Sequence, residues 1–377
     1  MSDLKARKTP LFECHEEHKG RIVDFAGWQM PMQYEGIMAE HRVVRSKVGV
    51  FDVSHMGRVD VMGKDALATI QYWMTNDASK LSILEAQYTP FCYEDGGIVD
   101  DCIVYRLGEE YYMIVLNAAN REKDYAWLSG HIAKGADVKM THPDEGDRWA
   151  LMAVQGPDAR KLLNSLTEKD LMNIPRNGIV LSSAAGIDGC MFACTGYTGE
   201  DGFEAFVPAD RAVEFWHTLF KEGEQYGIAP IGLGARDTLR MEMKYPLYGN
   251  DIDKTTTPIE AGLSWTVKLD KGDFIGRDVL AKQVEEKPSR RLIGFELEER
   301  GIPRHGSTIW SADGSEKLGL VTSGGFAPSL NKAIGIGYVP AKPHFAKLGS
   351  SLQIEIRNKR ISAHVVKTPF YRSVKSS

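Results

Sequence analysis

Four short stretches of this 377-residue chain pair carboxylates or hydroxyls with glycines: FDVSHMG (51–57), GGIVDD (96–101), TGYTGEDGFE (195–204) and YGNDID (248–253). Glycine lets backbone approach a ligand closely, and the polar side chains beside it supply the chemistry. The same residue types also build ordinary turns, and composition alone favours that plainer reading. GGIVDD is the exception. Asp100 and Asp101 run directly into Cys-Ile-Val-Tyr, a half-buried strand pattern, so at least one carboxylate stands at a strand start. Desolvation or like-charge proximity would perturb its pKa there, and a strand holds a catalytic group more firmly than a loop does.

Other chemistries have weaker signals. GLGARD (232–237) carries Asp237 where a dinucleotide fingerprint needs its third glycine, and no βαβ unit with a later acidic residue follows, so neither nicotinamide nor flavin is expected. HEEH (15–18) spaces its histidines by three rather than the four of a zincin and reads as a solvated segment. Cys190 and Cys194 have no second close pair to complete a ligand set, so no metal is expected. No GxSxG elbow or catalytic-cysteine signature is present, which leaves acids, bases and positioning to do the work.

The elements that must position these groups can be read from periodicity. Ile37, His41, Val44 and Val48 predict a helix over about 35–48 closed by Gly49, and Leu67, Ile70 and Met74 predict another over about 64–74. Gly96 and Gly97 read as a hairpin turn, IVLN as a strand ending near Asn117, and WALMAVQGP as a strand followed by a helix. Val213, Trp216 and Phe220 mark a further helix, and GARDTLRMEMK one more. Helices mixed with antiparallel strands make the class α+β. After about residue 270 short β-rich runs separated by Gly, Pro, Asn and Ser predict a small barrel or sandwich. The boundary is set at Gly276, giving domains 1–276 and 277–377, with a charged link in which Pro288 breaks any helix pattern.

Composition narrows the partners. Lys plus Arg (46) nearly balance Asp plus Glu (51), a net charge of -5, so no basic field draws in nucleic acid. Five cysteines without a secretory signal argue against a disulfide framework, and no apolar run reaches bilayer length, so a membrane is not expected.

The same blocks, in order and with TPLFECH, DFAGWQMPMQY, NREKD, LMAVQGP, GLGARDTLRMEM, GLSWTV, VTSGG and IGYVP around them, give the chain a resemblance to the T-protein (aminomethyltransferase) family of the glycine cleavage system over nearly its whole length. That resemblance implies a folate-binding T-protein-type domain followed by a C-terminal β-barrel. It implies a transferase that moves the methylene of an aminomethyl group, carried on the lipoyl arm of a partner H-protein, to tetrahydrofolate. Residue by residue, it points to Asp101 as catalytic, with Asp100 structural. Glu204, Arg236, Asn117 and Met56 fall on folate-pocket positions, although Asn117 and Met56 are equally typical of strand ends and cores. Arg291 matches an arginine near the lipoyl end, with Arg290 as the rival choice. Tetrahydrofolate is the implied co-substrate, and the setting is cytoplasmic in a bacterium or the mitochondrial matrix for a processed chain.

Two departures bear on rival readings. A folate-linked iron-sulfur assembly factor carries a KGCYxGQ motif, whereas this chain reads KGDFIGR with Asp273 at the cysteine position. Tyr371, in TPFYRSV, lies near but out of register with a folate-reaching tyrosine of animal relatives, so that role is not carried over. A related folate-dependent demethylase and a non-catalytic folate-binding protein remain as alternatives.

Overall fold

Residues 6–372 are described by a computed structural model. The chain forms two compact units. The first holds the chain up to Ile70, Ala78–Tyr88 and Cys102–Asp237, and the second holds Gln71–Asp77, Thr89–Asp101 and the chain from Thr238 onward.

The first unit is built on a six-stranded sheet in the order Ile179–Ala184, Ile187–Ala193, Gly202–Pro208, Trp149–Gln155, Gly49–Asp52, Ala229–Pro230. All its pairs are antiparallel except the last. WALMAVQ is apolar almost throughout, as a strand covered on both faces must be, and six of its seven residues are buried. Helices Ala159–Leu166 and Ala212–Gly223 bring Leu162, Leu163, Phe215, Trp216 and Leu219 against Val154, Phe192, Phe203 and Val207. Each such side chain contributes roughly 1.5–3 kcal/mol on burial. This core fixes the central strands from which the site is made.

A second sheet runs Glu85–Cys92, Ile98–Arg106, Tyr111–Leu116, Gly57–Met62, Lys139–Met140. The division between the units passes along its first two strands, so Ile98–Arg106 begins in one unit and ends in the other.

In the second unit six antiparallel strands close into a barrel: Arg290–Leu297, Lys332–Pro340, Lys317–Ala327, Thr308–Ser311, Ser351–Ile356 and Lys359–Val366. Phe295, Ile309, Ile354 and Val365 fill its interior. The glycine run of AIGIGYVP has a packing reason: a Cβ on Gly335 would stand 2.2 Å from the Phe295 ring, so only glycine lets that aromatic lie flat on the neighbouring strand. The α+β class and the C-terminal barrel read from the sequence are both present.

Helices at Ile37–Ser46, Ala66–Trp73, Ala212–Gly223 and Leu233–Glu242 occupy the expected segments, with the first ending at Ser46 so that Gly49 opens a strand. Two readings are corrected. The charged link contains a helix, Arg277–Glu286, anchored by buried Leu280, which stops just before Pro288 as the restricted residue ahead of proline requires. HEEH is only half solvated: His15 is fully buried in helix Phe12–Glu17, and its Nε2 lies 2.9 Å from Asp52 Oδ2. The i, i+3, i+4 rhythm of Leu11, Cys14 and His15 sets that face inward, while Glu16 and Glu17 stay exposed.

Candidate functional site

Glu204 lies on the central strand Gly202–Pro208, paired with Ala193 on one side and Ala153 on the other. Its Oε2 accepts hydrogen bonds from Thr195 Oγ1 at 2.5 Å and the Tyr105 hydroxyl at 3.3 Å. Among the described residues nothing donates to Oε1. Tyr105 is fully buried, edge-on to Phe206 at 5.6 Å. Burial, and then the Glu204 charge, push its phenol well above the usual range, so it stays a donor and holds one carboxylate oxygen in place.

Arg236 rises from the first turn of helix Leu233–Glu242, with its guanidinium carbon 4.7 Å from the centre of the Tyr197 ring. No described residue accepts a hydrogen bond from that guanidinium, which has five donors in a planar fork. Burial lowers its pKa, and Tyr197 and Glu204 work against that fall. The first unit therefore holds a half-engaged carboxylate and a stacked, unengaged guanidinium within electrostatic reach of each other. This is a donor-and-acceptor pair suited to a flat, hydrogen-bonding heterocycle with a polar edge.

The glycines of GLGARD serve this placement rather than a phosphate cradle. A Cβ on Gly232 would stand 2.4 Å from the Met32 carbonyl oxygen, so the start of the helix packs against backbone where any side chain would collide.

Asp101 is buried and Asp100 completely so, both on strand Ile98–Arg106. Adjacent on the strand, Asp100 and Asp101 face opposite ways, and both belong to the second unit's share of it, which ends at Asp101. Within the first unit the rest of that strand pairs with Tyr111–Leu116 from Ile103↔Val115 onward, and Asn117 follows two residues after Val115. Tyr111–Leu116 pairs in turn with Gly57–Met62 through Leu116↔Gly57, which leaves Met56 beside Asn117 at the end of that ladder. Asn117 also stands at the N-cap position of the short turn Ala118–Asn120, and Met56 closes the turn that starts at Val53, its N–H donating to the Val53 carbonyl.

Arg290 and Arg291 separate clearly. Arg290 donates to Glu260 Oε2 at 3.1 Å and lies over the Tyr338 ring at 4.9 Å, whereas Arg291 is exposed and engages no acceptor among the described residues.

Thr195, Tyr197 and Tyr105 were not singled out as individual functional residues in the sequence. Thr195 and Tyr197 lie inside TGYTGEDGFE, and membership of that block was their only signal, since their odd spacing from Glu204 and the irregular chain before Gly202 give no strand alternation. Tyr105 offered only its even spacing from Asp101.

Asp52, in FDVSHMG, belongs to a buried structural network. Burial works to raise its carboxyl, but hydrogen bonds from His15, Ser54 and Thr9 outweigh it and hold it at about 2. His55 is also buried, and its Nδ1 has no partner among the described residues. Burial, opposed by Asp52 and reinforced by Arg236, Arg58 and Arg121, brings it down to about 4, so it is neutral at pH 7. Two groupings of described residues have ligand atoms close enough for a metal ion, Cys14–Glu17–His217 and Glu122–His142–Asp144. Burial holds the Cys14 thiol protonated, up to about 12. All five cysteines are buried and none is in a disulfide.

Residues 11–271 match the model of the GCVT N-terminal domain, and residues 290–372 match that of the glycine cleavage T-protein C-terminal barrel domain. The chain is 46% identical over 381 residues to the aminomethyltransferase of Alkaliphilus oremlandii, covering all of both chains. It is 46% identical over 364 residues to that of Halothermothrix orenii, covering 97% of this chain and 99% of the relative. The crystal structure of glycine cleavage system aminomethyltransferase T from Bartonella henselae superposes with a TM-score of 0.89 at 33% identity, over 98% of this chain and 99% of that one. The chain belongs to the glycine cleavage T-protein family of aminomethyltransferases.

Proposed function

We propose that this aminomethyltransferase takes the methylene carbon of an aminomethyl group held on the lipoyl arm of an H-protein and transfers it to tetrahydrofolate, releasing ammonia and leaving the dihydrolipoyl carrier. The observation that carries this reading is the end-to-end likeness to curated aminomethyltransferases across both family domains. The geometry supplies parts that suit it. Glu204 Oε1 is an acceptor for paired N–H donors on a pterin edge, and Thr195 and Tyr105 keep it aimed. Arg236, stacked on Tyr197, offers a fork to the same ligand. Asn117 and Met56, at one ladder end, are the further folate contacts in this reading.

Asp101 has the catalytic role. Attack by a folate nitrogen on the methylene carbon while ammonia departs builds positive charge on nitrogen, and a fixed, buried carboxylate stabilises it without a protein nucleophile. Arg291, an exposed cation on the first barrel strand, is assigned to the lipoyl end, where positive charge assists a departing thiolate. On this reading residues 1–276 form the folate-binding part and 277–377 the barrel part, and the setting is the cytoplasm of a bacterium. No helix among the described residues is long and apolar enough to cross a membrane.

Asp101→Asn keeps the size and one acceptor oxygen while removing the charge. With aminomethyl-loaded H-protein and tetrahydrofolate, its rate of methylenetetrahydrofolate formation is expected to fall by about 10²–10³, with an unchanged melting curve. Turnover within twofold of the parent sinks the assignment of Asp101.

A further inference from the structure

The strand Trp149–Gln155 is apolar through Val154 and then ends in a glutamine that is 1% exposed. Burying a primary amide costs free energy unless both of its ends are paired. Here both ends are paired, and both pairs go to one segment of the first unit. Gln155 Nε2 donates to the Thr195 carbonyl at 3.1 Å, and its Oε1 accepts from Thr198 Oγ1 at 2.9 Å. The chain between those two contacts lies directly on the amide: a Cβ on Gly196 would stand 2.2 Å from Gln155 Oε1. Thr195 and the residues after it lie between strands Ile187–Ala193 and Gly202–Pro208, outside either ladder, so side-chain bonds must hold Thr195 where the ladder does not.

Those bonds form a directed series. The Glu200 backbone N–H donates to Thr198 Oγ1 at 3.1 Å, which leaves the Thr198 hydroxyl proton for Gln155 Oε1. With its oxygen held there, the amide presents its NH2 to the Thr195 carbonyl. Thr195 in turn donates its hydroxyl to Glu204 Oε2 at 2.5 Å. Arg45 anchors the far end, donating to the Thr198 carbonyl at 2.7 Å and to Glu200 Oε1 at 2.9 Å, with both charged side chains nearly buried. All of these residues belong to the first unit.

We propose that Gln155 is a positioning residue for tetrahydrofolate recognition: through Thr195 it fixes Glu204 Oε2, and so aims the open Oε1 at the N–H donors of the pterin edge. The identity of the ligand rests on the aminomethyl-transfer reading, whereas the series of bonds rests on the geometry alone. A glutamine that only stabilised the strand end would leave recognition untouched. A positioning one changes binding in a way that depends on the Glu204 carboxylate being present.

Gln155→Met keeps the length and unbranched shape of the side chain and removes both polar ends. Its Kd for tetrahydrofolate, measured calorimetrically, is expected to rise about 3–10-fold, the equivalent of one hydrogen bond. Its kcat and its KM for aminomethyl-loaded H-protein should stay within about twofold of the parent. Added to Glu204→Ala, the same change should weaken tetrahydrofolate binding by less than about twofold, because the carboxylate it aims is gone. A parent-like Kd, an equal effect in the two backgrounds, or a loss shared evenly between folate and H-protein makes Gln155 structural and overturns the inference. If Gln155→Met does not fold, Thr198→Val takes its place: without the hydroxyl the amide is free to turn, the Kd rises in the same direction, and Thr198→Ser restores it. Failure of the serine to do so overturns the inference. If the parent neither binds tetrahydrofolate nor turns over H-protein, the function reading fails instead. The series is then judged by a crystal structure of the folded variant, in which Thr195 Oγ1 must move beyond about 3.5 Å from Glu204 Oε2, and an unmoved Thr195 overturns it.

Discussion

Asp251 in the second unit and Glu204 in the first are acidic residues from two glycine-rich blocks of similar composition, YGNDID and TGYTGEDGFE, and their surroundings differ in kind. Asp251 is completely buried and saturated. Its Oδ2 accepts from Arg240 Nη1 at 2.6 Å, Ser323 Oγ at 2.9 Å and Leu247 N at 3.0 Å, its Oδ1 accepts from Thr322, and its backbone carbonyl accepts from the Tyr338 hydroxyl at 2.9 Å. Glu204 is only partly buried, has both of its neutral donors on one oxygen and leaves the other open. A carboxylate that stabilises a fold has every lone pair matched within the protein. One that binds a ligand keeps an unmatched oxygen and is held rigid by the matched one.

The largest effect that separates the two is expected at Asp251. Asp251→Ala strands the buried Arg240 guanidinium, and breaking a buried pair costs about 3–5 kcal/mol. Urea unfolding should show that loss, and a change below about 1 kcal/mol would mean the network is no more than a surface-type pair. Glu204→Ala should do the reverse: Kd for tetrahydrofolate rises about 10–100-fold, the equivalent of one charge-assisted contact, while unfolding free energy moves little. Comparable losses of folate affinity in a folded Asp251→Asn variant would erase the distinction.

A smaller effect tests the buried histidine behind Met56. His55 is lowered from 6.5 to about 4 in the folded chain, so between those values the unfolded chain binds the extra proton. Stability from this group is therefore complete above pH 6.5 and is lost as pH falls toward 4, by up to about 3 kcal/mol at 1.36 kcal/mol per unit. In His55→Gln the slope of stability against pH over that window should flatten. An unchanged slope would assign acid sensitivity elsewhere, with Asp52 the next candidate, whose contribution is lost only as pH falls from about 4 through about 2.

Local patterns in the sequence identified the parts that depend on neighbours in the chain. The helices over Ile37–Ser46 and Leu233–Glu242, the buried strand Trp149–Gln155 and the β-rich carboxy-terminal region all follow from apolar periodicity and from glycine and proline placement, because those act within a few residues. The ordered blocks also marked Glu204 and Arg236. HEEH failed for the same reason that the others succeeded. Its local composition is that of a solvated helix, and the partner that draws His15 inward, Asp52, is 37 residues away.

Tertiary structure alone decided which polar groups are engaged. It distinguished Arg290, tied to Glu260 and Tyr338, from exposed Arg291, and saturated Asp251 from half-engaged Glu204. It also placed Tyr105, 99 residues away in sequence, against Glu204. Residue type determines what a side chain can donate or accept, and that much the sequence carries. Whether each donor finds its acceptor depends on pairings across dozens to hundreds of residues, which exist only once the chain has folded.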